Sequence, residues 1–264
     1  MRAAGLVVGR TLDTLRGAVR VGMTTRDLDQ IAEQQIRDAG ATPSFMGYHG
    51  FPATLCVSVN DEIVHGIPGE RVIRDGDVVS IDCGAIVSGW HGDAAMSVVV
   101  GAADPGDERL VETTEQAMWH GIAALAAGRR LHDVGSAVEE LVESRSGDGG
   151  ALSEAGYGII EEYVGHGIGT EMHQDPQVPN YRVRDKGVRV RAGLVVAIEP
   201  MLTRGAADTR VLDDEWTVVS SDSSRAAHFE HTVAVGEDGL WVLTALDGGE
   251  QQLGLLGAPY APLG

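Results

Sequence analysis

The sequence predicts an α+β fold in which helices back a sheet. Two observations carry this. Apolar residues first recur at helical spacing, then give way to short strand-like runs punctuated by Gly, Asp and Pro. The same order, two helices and then strands, occurs a second time. No linker-like stretch separates the halves, so residues 1–245 are expected to form one domain around a shared core. The residues themselves do not visibly repeat, and the doubled order is read as a trace of duplication.

Residues 3–19 read as a helix with Val8, Leu12, Leu15 and Val19 on one stripe. Thr24 or Thr25 caps a second helix whose stripe is Leu28, Ile31, Ala32, Ile36 and Ala39, and Gly40 stops it. Strands are expected at Thr54–Val59, Val78–Val87 and Trp90–Val100. Asp107–Ala127 returns to helical spacing, with Leu110, Ala117, Met118 and Leu125 inward, and Asp133 caps a further helix bearing Val134, Val138 and Leu141. Strands follow at Gly158–Val164, Gly193–Glu199, Arg210–Val219, Ala227–Val235 and Leu240–Ala245. Ser144–Ser153 reads as a loose loop. Residues 246–264, rich in Gly and Pro, read as a poorly ordered tail.

The chain has 264 residues, with 39 acidic and 20 basic side chains and a net charge of −19. That balance argues against nucleic acid and anionic membranes, which need clustered cations. No apolar run is as long as a membrane span, and Met1–Arg10 lacks the apolar core of a signal peptide. Two cysteines, Cys56 and Cys83, cannot make a disulfide scaffold. A soluble, cytoplasmic, globular protein is expected.

The strongest clue is acid set into apolar strands. Asp82 lies in Val78–Cys83, Glu199 ends Leu194–Glu199, and Glu230 follows Phe229. A buried carboxylate costs several kcal/mol unless paired or protonated. Yet no Lys or Arg occurs between Asp75 and Glu108, nor between Ser146 and Tyr181. The Ser88-Gly89 dipeptide suits a turn here, and a turn centred on Val87 and Ser88 would set Asp82 directly opposite Asp93. That juxtaposition repels unless a cation lies between them. His166, flanked by Gly165 and Gly167, together with His173 and His65, suits a borderline divalent metal. Each residue has an ordinary reading alone: a strand-end Asp, a solvated Glu–His face, a satisfied His. Together, in one cation-poor sheet, they favour a metal.

Five segments, in this order, resemble the type I methionine aminopeptidases. They are Gly47–Pro52; Asn60 through His65-Gly66-Ile67-Pro68; Ile81-Asp82 with His91-Gly92-Asp93; Gly165–Gly169 with Met172–Pro176; and Ile198–Met201 with Phe229–Thr232. The resemblance covers about residues 1–245. It implies the pita-bread fold: an antiparallel sheet with helices on its outer face and internal pseudo-twofold symmetry. It implies two divalent metal ions (Co, Fe, Mn or Zn) held by Asp82, Asp93, His166, Glu199 and Glu230, with Asp93 and Glu230 bridging. The implied reaction removes N-terminal methionine from nascent chains whose second residue is small. A hydroxide held by the metals attacks, and Glu199 shuttles the proton. His173 would steady the oxyanion and His65 the amide beyond it. Positions matching Phe45, Tyr48, Phe51, Cys56, Met172 and Trp216 would line the methionine pocket, although ordinary core packing would also account for them. Action near the ribosome, a monomeric state and no contact with nucleic acid or membrane complete the expectations.

Departures from the resemblance are Met172 where an aromatic is common, Ala53-Thr54 for a Lys-Ser pair, and Ala94 for Thr, which removes a hydroxyl near Asp93. Rival readings fare worse. Prolidases and Xaa-Pro aminopeptidases usually carry an additional N-terminal domain, and type II enzymes an insertion between the second His and the Glu ligand. A dead binding relative would have lost a ligand or His173. Cys56 and Cys83 have no neighbouring base to activate them.

Overall fold

The computed structural model describes residues 1–126, 129–145 and 156–262. Helix α1 (Arg2–Ala18) buries Val8, Leu12 and Leu15 along its stripe. Helix α2 (Thr25–Asp38) starts at a reciprocal cap: the Asp27 N–H donates to Thr24 Oγ1, and the Thr24 N–H donates to the Asp27 carboxylate. Strands β1 (Thr42–Pro43), β2 (Leu55–Val59), β3 (Glu62–Val64), β4 (Asp77–Val87) and β5 (Trp90–Val100) follow. Helix α3 (Pro105–Ala124) is capped by Asp104, whose carboxylate accepts the Gly106 N–H, and α4 (Asp133–Arg145) lies next to it. Then come β6 (Gly158–Ile159), β7 (Gly165–Gly167), β8 (Gln174–Val178), β9 (Val195–Ile198), β10 (Met201–Thr203), β11 (Thr209–Val211), β12 (Val218–Ser220), β13 (Ala226–His228), β14 (Glu230–Val235), β15 (Leu240–Val242) and α5 (Glu250–Leu255).

The main sheet runs β1-β4-β5-β14-β9-β7-β8, with β2 also on β4 and β15 also on β14, and its pairings are antiparallel. Alternation along these strands separates two faces. Leu55, Val57, Val79, Ile81, Cys83, Ala94, Met96, Val196, Ile198 and Val233 share a core with α1, α2 and α3. Cys56, Asp82, Asp93 and Glu230 fall at the intervening positions and so turn to the other face. The sheet with helices on its outer side is the expected one.

Several boundaries differ from expectation, each for a local reason. Arg210–Val219 is two strands, β11 and β12, because Asp214 builds a turn: its carboxylate accepts the Trp216 N–H, the Thr217 N–H and the Thr217 hydroxyl. Ala227–Val235 breaks at Phe229, leaving β13 in a small sheet with β10 and β6 while β14 enters the main sheet. The poorly ordered tail expected after Ala245 is corrected. Leu253 of α5 is fully buried in the main core, and the Leu240 N–H donates to the Pro259 carbonyl. Apolar anchoring there outweighs the Gly and Pro content. Of the loose loop expected at Ser144–Ser153, Ser144 and Arg145 belong to α4, and residues 146–153 lie outside the described residues.

Candidate metal centre

A two-residue turn joins β4 to β5. Ser88 and Gly89 both have positive φ, 51° and 79°, as a turn matched to strand twist requires. Val87 therefore pairs with Trp90, Asp82 with Ala95, and Asp93 with Gly84. The direct opposition of Asp82 and Asp93 expected from sequence is corrected: the turn is centred one residue later, so the aspartates are diagonal neighbours. The displacement is an even number of residues, which keeps both on one face.

The other ligand candidates arrive by strand order. Glu230 opens β14 opposite Ala95 of β5, and His231 of β14 pairs with Ile198, just before Glu199. The order β5-β14-β9 thus sets Asp93, Glu230 and Glu199 side by side, and β7 adds His166. A Cβ on Gly165 would stand 2.4 Å from the Ala197 carbonyl oxygen, and one on Gly167 would stand 2.3 Å from that of Asp175. What these glycines approach is neighbouring backbone. Thr232 holds the other side: its hydroxyl accepts the Asp93 N–H at 3.0 Å and donates to the Asp93 carbonyl at 2.7 Å. Ala94 lies in the helix-side core, so the hydroxyl missing there would have pointed away from the carboxylates.

Donor atoms of Asp93, His166 and Glu230 lie within 4.8 Å of one another, as do those of Glu199, His228 and Glu230. His166 Nε2 is 3.6 Å from Glu199 Oε1, too far for a hydrogen bond. His166 Nδ1 donates to the Gly167 carbonyl at 2.9 Å, which leaves the Nε2 lone pair facing Glu199. Asp82 Oδ1, Asp93 Oδ1 and Glu230 Oε1 are buried without a hydrogen-bond partner. Burial pushes Asp82 up to about 7. Burial first, then neighbouring carboxylates, raises Asp93, Glu199 and Glu230 well above the ordinary range. His166 and His65 are held down to about 4, by burial and then by His173. Clustered carboxyls with orphaned oxygens beside lone-pair imidazoles form a donor set that fits divalent cations.

This centre opens into a cavity of about 870 Å³ lined by every residue singled out in the sequence: Asp82, Asp93, His166, Glu199, Glu230, His65, His173, Phe45, Tyr48, Phe51, Cys56, Met172 and Trp216. The last six meet in one apolar cluster, joined by Ala53 and Ile67 and distinct from the helix-side core. Phe51 and Trp216 stack edge to face at 5.1 Å. The His173 ring centroid is 4.4 Å from that of His166, and His173 Nδ1 shares a 2.7 Å hydrogen bond with the Tyr48 hydroxyl. His65 stands edge-on to Tyr163 and Trp216. Sequence reasoning missed His228, Thr232 and Asn180, whose side-chain amide donates to the Glu199 carbonyl at 3.1 Å. For His228 a signal existed, since His228 and Glu230 are two apart, as same-face strand residues are. Among the described residues no helix is long and apolar enough to cross a membrane.

The profile of metallopeptidase family M24 matches residues 1–237. Methionine aminopeptidase 1 of Mycobacterium tuberculosis is 51% identical over 248 residues, covering 92% of this chain and 91% of the relative. The crystal structure of methionine aminopeptidase from Thermotoga maritima superposes with a TM-score of 0.87 at 39% identity, covering 93% and 95% of the two chains. The prolidase of Pyrococcus horikoshii superposes at 0.70 with 19% identity, over 92% of this chain but 60% of its own, a likeness of fold alone. Fold, donor set and sequence agree: this chain belongs to metallopeptidase family M24, with the pita-bread fold of that family.

Proposed function

We infer that this chain is a methionine aminopeptidase, releasing N-terminal methionine from peptides and nascent proteins whose second residue is small. The observation that carries the reading is the single cavity that joins a carboxylate–histidine centre to an apolar pocket walled by Phe45, Phe51, Cys56, Met172 and Trp216. An unbranched thioether suits such a wall.

Asp82, Asp93, His166, Glu199 and Glu230 would hold two divalent ions of the Co, Fe, Mn or Zn class. Four carboxylates against two such ions leave the centre neutral by formal count. When bound, the metals polarise the scissile carbonyl and lower the pKa of water. The Glu199 carboxylate takes the proton of the attacking water and passes it to the leaving amine. Burial raises the Tyr48 phenol, so it stays protonated and can serve as the donor in its hydrogen bond with His173 Nδ1. In that tautomer the proton of His173 lies on Nε2, ready to donate to the developing oxyanion. His65, neutral at physiological pH, positions the amide beyond the scissile bond. The setting is cytoplasmic, at nascent N-termini close to the ribosome, with the protein acting as a monomer.

The test is metal-loaded protein offered Met-Ala and Xaa-Pro peptides. Free methionine from the first is expected; cleavage confined to Xaa-Pro would overturn the reading. His173→Ala is expected to lower kcat about 10²–10³-fold while metal loading changes little. Lost metal with unchanged residual turnover would remove the oxyanion role. Trp216→Ala, which opens the wall beside Phe51, is expected to relax which N-terminal side chain is accepted. Unchanged selectivity in competition between Met-Ala and Leu-Ala would return Trp216 to plain packing.

A further inference from the structure

His228 is absent from the ligand set read in the sequence. It is 2% exposed, and its Nε2 is buried without a hydrogen-bond partner. That nitrogen lies 3.8 Å from Glu199 Oε2, and the donor atoms of His228, Glu199 and Glu230 all lie within 4.8 Å of one another. The gap is too wide for a hydrogen bond. It suits two donors on one ion, which stand up to about 4.3 Å apart when metal–donor bonds are about 2.0–2.2 Å long. Glu199 is flanked alike on its other oxygen, where His166 Nε2 stands at 3.6 Å. The two triplets, Asp93–His166–Glu230 and Glu199–His228–Glu230, share Glu230.

The backbone holds His228 in place. Its N–H donates to Ser97 Oγ, and Ser97 Oγ donates to its carbonyl, both at 2.9 Å. It enters from the small sheet, where it pairs with Met201 of β10, and the break at Phe229 separates it from β14. A buried imidazole nitrogen aimed at two carboxylates with nothing to bond is costly unless a cation completes it.

We propose that His228 is a sixth protein ligand of this centre, giving it a second nitrogen donor through Nε2 beside Glu199 and Glu230. The proposal rests on the metallopeptidase reading and adds to it. A second imidazole shifts the centre from an oxygen-dominated set, which suits Mn, toward the borderline ions Co and Zn.

Metal-free protein titrated with Co(II) alone, followed by calorimetry and by visible ligand-field absorption, tests this. His228→Gln is expected to weaken one of the two binding steps at least about tenfold and to alter the ligand-field bands. Identical affinities and spectra in the two proteins would overturn the proposal. Should the variant fail to fold by circular dichroism, the wild-type protein decides. Its Co(II) form, labelled with ¹⁵N-histidine, is expected to show two imidazole ring N–H signals shifted far outside the diamagnetic range. One such signal would overturn the sixth ligand while leaving the metallopeptidase reading intact. Absence of Co(II) binding by the wild type would overturn both.

Discussion

Turnover of a Met-Ala peptide is expected to fall about 10²–10⁴-fold in Glu199→Gln. The amide keeps the volume and one acceptor oxygen of the carboxylate but cannot take a proton from water. Glu199 sits where that loss counts: both of its oxygens face imidazole nitrogens, at 3.6 and 3.8 Å, and its backbone carbonyl accepts from Asn180. The fold is expected to persist, because burial already raises the Glu199 carboxyl well above the ordinary range and a neutral group avoids the desolvation of a charge. Circular dichroism of the metal-free variant and kcat of the loaded one are the measurements. Wild-type turnover in the variant would remove Glu199 from the reaction.

The melting temperature of the metal-free protein is expected to fall as pH rises from about 7.5 to 8.5. Histidines of the unfolded chain are largely neutral above about pH 7.5, and folded His65, His166 and His228, held to about 4, 4 and 3, are neutral too, so they set little slope there; below that pH, protons that these histidines bind only in the unfolded chain act in the opposite direction. Carboxyls of the unfolded chain lose their protons near pH 4. In the folded chain Asp82 keeps its proton to about 7, and Asp93, Glu199 and Glu230 are raised well above their ordinary values. The folded state then binds more protons than the unfolded one, so stability declines with rising pH until the folded values are passed. The Met1 amine, lowered by burial, opposes this with one proton against several. Each kcal/mol lost lowers the midpoint by about 2–4 °C. A divalent ion at 100 times its Kd restores about 2.7 kcal/mol, and its benefit grows with pH because it displaces those protons. Differential scanning calorimetry with and without Co(II) reads both effects. A metal-free midpoint that rises across this range would show that the carboxyls are compensated within the protein.

Much of the site was legible because its signals are local. Alternation within one strand already sets Asp82 apart from Ile81 and Cys83, and the lack of Lys and Arg over Asp75–Glu108 and Ser146–Tyr181 needs no fold to be seen. His228 carried only part of such a signal: it lies between apolar Ala227 and Phe229 and two residues from Glu230, but its proximity to Glu199 depends on β13 and β9 lying in different sheets. The role of Ala94 reversed for the opposite reason: period-two alternation places it with the helices, one residue from Asp93 but on the other side of the sheet.

The sequence by itself determined the helical stripes and the α+β order and set Asp82, Glu199 and Glu230 apart as acids in apolar strands, since these follow from side-chain chemistry and short periodicities along one strand or helix; the full donor set and the pocket residues came from the family resemblance. Only the tertiary structure decided the rest. The strand order β5-β14-β9-β7 brings donors from distant parts of the chain onto one face. The turn at Ser88 and Gly89 sets Asp82 and Asp93 diagonally. Burial of Leu253 docks α5 where composition suggested a free tail. These are non-local packing outcomes: strand neighbours and registers are selected by the total apolar surface they cover and by turn geometry, and a shift of one residue in a turn's centre moves every pairing beyond it by two.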